Sequence, residues 1–225
     1  MRLRTALTQT VVVSLLGLVA GVVMASDTVV ASLSPDVALA KLMAGNARFM
    51  ASASSTAKPT AQRRVETAQA QHPFAIVVAC ADSRTPPELI FDQNIGDLFV
   101  IRTAGNLVDD HALGSIEYAV NHLGTRLIVV LGHERCGAVT AALASPTAPR
   151  HLDSLVRDIR PAVHLAKAEQ GDLLVNAVRT NARLVAERIR KEAELGEHKA
   201  EVRIVTGYYH LDSGEVQWPA EPSTK

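Results

Sequence analysis

The chain has 225 residues, 48% of them hydrophobic, which is ample for one core, and its 4% of aromatics are too few for a base-stacking surface. Lysine plus arginine and aspartate plus glutamate both number 23, so no bulk charge points to nucleic acid or an anionic membrane as a partner.

Residues 1–10 carry Arg2 and Arg4 and no acid, and 11–23 is an almost unbroken apolar run followed by Met24-Ala25. A basic head, an apolar middle and small or apolar residues before the break form the pattern of a secretory signal peptide, with cleavage expected after Ala25 and a periplasmic or secreted mature chain. An uncleaved anchor is the alternative, but the run falls short of the roughly 20 residues of a membrane span. No stable membrane anchor is therefore expected after cleavage. Residues 26–34 read as a tether and 35–225 as a single domain.

Ser34-Pro35 is a helix opening, and Leu39, Leu42, Met43 and Phe49 give residues 36–51 an apolar face. A loop over 52–60 and a helix over 62–71 follow. His72-Pro73 breaks that helix, and Phe74-Ala75-Ile76-Val77-Val78-Ala79 is the continuous apolar run of a strand buried on both faces. Pro86-Pro87 permits a short turn or helix start through Phe91, residues 98–102 form a second strand and 103–106 a loop. Leu113, Ile116, Val120 and Leu123 mark a helix over 110–122, residues 126–131 repeat the character of the first strand, and 137–144 is helical. Residues 152–169 are helical but contain Pro161, which predicts a kink or two helices. A long helix through Leu174, Val178, Ala182, Val185, Ile189 and Ala193 ends near Gly196. Residues 202–206 form a strand, and 208–211 with 215–218 a hairpin across Asp212-Ser213-Gly214. The alternation predicts an α/β fold: a mostly parallel central sheet flanked by helices, with an N-terminal helical arm and a C-terminal antiparallel hairpin.

The only two cysteines, Cys80 and Cys136, follow the ends of two of these strands, the second accompanied by His133. In an exported chain two cysteines first suggest a disulfide. Placement beyond strand ends, beside a histidine, points instead to Zn²⁺, for which two thiolates and an imidazole are suitable ligands, with a fourth position left open as in catalytic sites. Asp82 can accept a hydrogen bond from the group at that position, and Arg84 can hold Asp82 in a forked pair. A carboxylate so near a cation could also fill the fourth position itself, in which case Arg84 decides between an open and a closed site.

Cys80-Ala81-Asp82-Ser83-Arg84 with His133-Glu134-Arg135-Cys136 resembles the β-class carbonic anhydrases. The likeness extends over most of the mature chain, through Gly45-Asn46-Ala47-Arg48-Phe49, Gln71-His72-Pro73-Phe74, Gly96-Asp97-Leu98-Phe99-Val100, Ala104-Gly105-Asn106 and Gly114-Ser115-Ile116-Glu117-Tyr118-Ala119. It implies reversible hydration of CO₂ to bicarbonate and a proton at a zinc held by Cys80, His133 and Cys136. Asp82 and Arg84 match the catalytic pair, Asp82 being a fourth ligand only in a closed state, and Gln93 resembles the substrate-orienting glutamine. The resemblance further implies a homodimer or dimer of dimers, with the N-terminal helices embracing a second subunit and the pocket at the interface. Thr103 departs from the asparagine that many members carry there. A zinc deaminase would need its histidine first and a Pro-Cys-x-x-Cys, which is missing. The alternatives are a hydrolase of carbonyl sulfide or carbon disulfide on the same scaffold and a non-enzymatic secreted module with a Cys80 to Cys136 disulfide. The other histidines read as surface or capping groups.

Overall fold

The structure is a computed structural model that describes residues 33–53 and 60–219. The predicted signal peptide and most of the tether therefore lie outside the described residues. Among the described residues no helix is long and apolar enough to cross a membrane.

The first helix, α1 (Pro35–Met50), starts as predicted, with the Ser34 hydroxyl accepting from the Val37 amide and proline in the first turn. Of the expected face, Leu42 is buried and Leu39 and Phe49 pack partly buried against the core, but Met43 is exposed, and Ala38, Gly45 and Asn46 complete the buried stripe. Close approach explains the difference: a Cβ on Gly45 would stand 1.8 Å from the Phe91 carbonyl oxygen, so only the bare backbone fits against the following segment. Asn46 then completes the joint. Its Nδ2 donates to the Ile90 carbonyl at 3.1 Å and to the Gly214 carbonyl at 2.8 Å, and its Oδ1 accepts from the Val216 amide at 2.9 Å. Gly45→Ala should cost about 3 kcal/mol, because overpacking and the loss of buried hydrogen bonds outweigh a helix-propensity gain of about 1 kcal/mol. Urea unfolding followed by circular dichroism measures it, and an unchanged midpoint would refute the tight joint.

A short α2 (Ala61–Thr67) precedes β1 (Ala75–Cys80), then α3 (Pro87–Ile90) and β2 (Leu98–Thr103). A 3₁₀ turn, Ala104–Asn106, leads to α4 (Asp110–Asn121) and β3 (Leu127–His133). Three helices follow, α5 (Gly137–Ala144), α6 (Leu152–Ala166) and α7 (Leu173–Glu192), then a 3₁₀ segment, Gly196–Ala200, and the last described strands, β4 (Arg203–Tyr209) and β5 (Val216–Gln217). The sheet order is β2-β1-β3-β4-β5, parallel except for the β4–β5 pair. The fold is thus α/β with a mostly parallel sheet and a C-terminal antiparallel pair, as the sequence predicts.

Every residue of β1 and β3 is buried, which explains their unbroken apolar runs. Ile76, Val78, Ile128 and Val130 face the layer that includes Leu113, Ile116, Val185 and Ile189 of α4 and α7. Val77, Ala79, Val129 and Leu131 pack on the other face with Leu42, Ile90 and Phe91.

Pro161 lies inside one continuous α6, so of the two expected outcomes the split into two helices does not occur. It lies on the exposed face, where the carbonyl left without a partner can meet water, while Val156, Ile159, Ala162, Val163 and Ala166 remain buried on the inner stripe. The packed stripe outweighs one missing hydrogen bond.

The chain steps from β1 outward to β2, then crosses back to place β3 on the other flank of β1. That reversal opens a crevice beyond the carboxyl ends of β1 and β3.

Candidate metal centre

Cys80 is the last residue of β1 and His133 the last of β3, so both strands deliver a ligand directly into the crevice. Between His133 and Cys136, Arg135 adopts a left-handed φ of 51°, which turns the chain back and sets Cys136 as the residue before α5. The three ligand atoms lie within 4.8 Å of one another and all three residues are buried. Both cysteines are free thiols, which overturns the disulfide expectation.

His133 Nδ1 is 2.9 Å from the Glu134 carbonyl oxygen, a contact that assigns the proton to Nδ1 and leaves the Nε2 lone pair available. Nε2 is buried without a hydrogen-bond partner. A buried acceptor without a donor is costly, and a cation between it and the two sulfurs would resolve the deficit. The donor set therefore fits Zn²⁺.

The thiols share that electrostatic environment unequally. The Cys136 thiol, which shares its proton with Cys80, together with the adjacent His133 ring and the Gly105 and Asp82 amides, brings Cys80 down to about 4 against the opposing effect of burial. Cys136 is pushed up by that neighbouring thiolate and by burial, although the Val139 and Ala138 amides at the start of α5 favour its anion. The two sulfurs would hold a divalent cation in place of the proton they now share.

Asp82 stands just outside this set, its Oδ2 3.9 Å from His133 Nε2. Arg84 grips the carboxylate by a fork, Nε to Oδ1 at 2.9 Å and Nη2 to Oδ2 at 2.7 Å, and the Arg84 amide adds a 3.0 Å bond to Oδ1. The Arg84 guanidinium holds the Asp82 carboxyl well below the usual carboxylate range, against a smaller burial effect.

Several supports escaped the reading of the sequence. Arg102, exposed on the edge strand, donates to the Cys80 carbonyl at 2.9 Å and the Asp82 carbonyl at 2.6 Å, and so fixes the loop that carries the carboxylate. The Gly105 amide donates to Cys80 Sγ at 3.3 Å from a left-handed φ of 72°, and a Cβ there would stand 2.8 Å from Ile159 Cδ1. Asn181 of α7 holds the Gly105 carbonyl at 2.8 Å. The register of Cys80 against Thr103, which only the structure reveals, places Arg102 beside the same crevice.

Gln93 is buried, its Nε2 donating to the Phe91 carbonyl at 2.6 Å. Thr103 donates its hydroxyl to the Leu107 carbonyl at 2.5 Å, tying together the two ends of the 3₁₀ turn.

The profile of the family described as "Carbonic anhydrase" matches residues 75–216. A carbonic anhydrase of Mycolicibacterium smegmatis is 48% identical over 126 residues, 56% of this chain and 61% of that protein, so the alignment spans less than two thirds of its length. Carbonic anhydrase 2 of Mycobacterium tuberculosis is 44% identical over 140 residues, 60% of this chain and 68% of that one. Among solved structures, a Coccomyxa β-carbonic anhydrase in complex with acetazolamide superposes with a TM-score of 0.64 at 27% identity, covering 71% of this chain and 78% of its own.

Proposed function

Because the chain belongs to the carbonic anhydrase family, and to its β-class by fold, we propose that it catalyses the reversible hydration of CO₂ to bicarbonate and a proton. The observation that carries this reading is the convergence of two free thiols and a partnerless imidazole nitrogen, with the Asp82 carboxylate 3.9 Å from that nitrogen. Zn²⁺ held by Cys80, His133 and Cys136 supplies a Lewis acid and makes water ionisable near neutral pH.

The residues of the chain do the rest. Cys80 and Cys136 give up their protons to bind, and the bond from Nδ1 to the Glu134 carbonyl keeps Nε2 aimed at the centre. Asp82 accepts a hydrogen bond from the attacking oxygen and so aims its lone pair at CO₂. Arg84, by occupying both carboxylate oxygens, keeps Asp82 from becoming a fourth ligand. Gln93 orients the substrate through its second amide proton, the first being engaged by Phe91.

A homodimer or dimer of dimers is part of the proposal, supported by exposed Val37, Met43 and Met50 on α1 and by the half-buried edge strand β2. Export through residues 1–25 is proposed from their basic head and apolar run. Relatives at 44% and 48% identity that are named carbonic anhydrases favour CO₂ over carbonyl sulfide or carbon disulfide. Purified protein should contain one zinc per chain and acidify CO₂-saturated buffer rapidly in stopped flow. Metal-free protein hydrating at a normal rate would sink the proposal.

A further inference from the structure

Where β4 runs beyond its short pairing with β5, α7 and the sheet edge enclose a cavity of about 220 Å³. None of its lining residues is a metal ligand or a member of the Asp82–Arg84 pair. Its cationic wall is Arg179 and Arg183, one helical turn apart on α7. Arg179 lies over the Tyr208 ring, 5.0 Å from its centroid, and donates Nη2 to Gln217 Oε1 at 2.6 Å. Held by a ring face and a neutral amide, this guanidinium has no acidic partner among the described residues, which leaves most of its five donors available to a ligand.

Arg183 is paired with Glu187 at 3.0 Å, but both side chains are about half exposed, so the pair is weak and Arg183 can turn to a competing anion. The acids that act on Tyr208 are engaged elsewhere. Asp172 caps α7 through the Val175 amide, and Glu134 accepts from the Leu211 amide. Another part of the wall is apolar, formed by Trp218 and Pro219, with the Trp218 ring stacked on Phe91 at 6.1 Å and 28°. A flat apolar surface beside two guanidinium forks suits one chemical class.

We propose that this cavity is a second binding site, separate from the metal centre, for small planar carboxylates. The carboxylate is taken by Arg179 and Arg183, and the flat body lies against Trp218 and Pro219. The volume suits a single ring and falls below that of drug-sized pockets, roughly 300 Å³ and larger.

Trp218 is the one tryptophan of the sequence, so tryptophan fluorescence reports the cavity directly. Titrating zinc-loaded protein with sodium benzoate should give a saturable change, and uncharged benzyl alcohol none at the same concentrations. Arg179→Gln should raise the apparent Kd for benzoate about tenfold, the loss of one charge-assisted fork, without altering CO₂ hydration measured in the absence of benzoate. Arg183→Gln supplies the same comparison if the first variant does not fold. An unsaturable response or an equal response to benzyl alcohol overturns the proposal. So does unchanged benzoate affinity in the variants, which would place the anion at the metal centre.

Discussion

Cys136→Ser should leave a folded chain that retains far less than one zinc and hydrates CO₂ at least about a thousandfold more slowly, a loss of about 4 kcal/mol in transition-state stabilisation. A serine hydroxyl is nearly isosteric, so the inner end of α5, where Cys136 is buried beside Val139, should keep its packing. What changes is the donor. An alcohol stays protonated where a thiol beside a cation ionises, and it replaces a soft anionic ligand with a hard neutral one. The buried Nε2 of His133 would then again lack a satisfactory partner. Metal content by atomic absorption beside stopped-flow hydration makes the measurement. A variant that keeps one zinc and the parent rate would remove Cys136 from the centre.

Arg84→Ala should be milder and more informative: zinc retained, hydration at neutral pH down about a hundredfold, or about 2.7 kcal/mol. Arg84 occupies both Asp82 oxygens in the structure, and its side chain is about half exposed, so its removal creates no buried cavity. The freed carboxylate can swing toward the metal and block the fourth position. The sign of the pH effect follows from the pair. Arg84 lowers the Asp82 pKa, so without it the carboxylate takes up a proton at higher pH, and the acid limb of the rate profile should move upward. Arg84→Lys should recover only part of the rate, since an ammonium cannot fork both oxygens. Unaltered hydration over the whole working pH range in Arg84→Ala would exclude the gate.

The metal centre was legible because the chain has only two cysteines and both fall close behind strand ends, one of them beside a histidine. Cys80 and His133 at the ends of two β-branched runs, with Cys136 three residues beyond the second, state both the ligands and their place in the sheet. The supporting groups were not legible for a common reason: their roles belong to the backbone. Arg102 acts on two carbonyls, Asn181 on a carbonyl and Gly105 through an amide, and no side-chain pattern announces such contacts. Pro161 misled because local propensity takes no account of which face of the helix is exposed or what the opposite face buries. The apolar spacing in α1 likewise hid that a glycine and an asparagine form the inner stripe, where closeness and hydrogen bonding matter more than hydrophobicity.

The Asn46 joint also bears on how the chain reaches its native state. It ties the first described helix to carbonyl and amide groups 168 and 170 residues further along, near the last strand. Contacts of such separation carry a large loop-closure entropy and slow folding. The N-terminal helix therefore has no finished docking surface until the final hairpin is in place, and the two should gain protection from hydrogen exchange in the same kinetic phase, after the central strands.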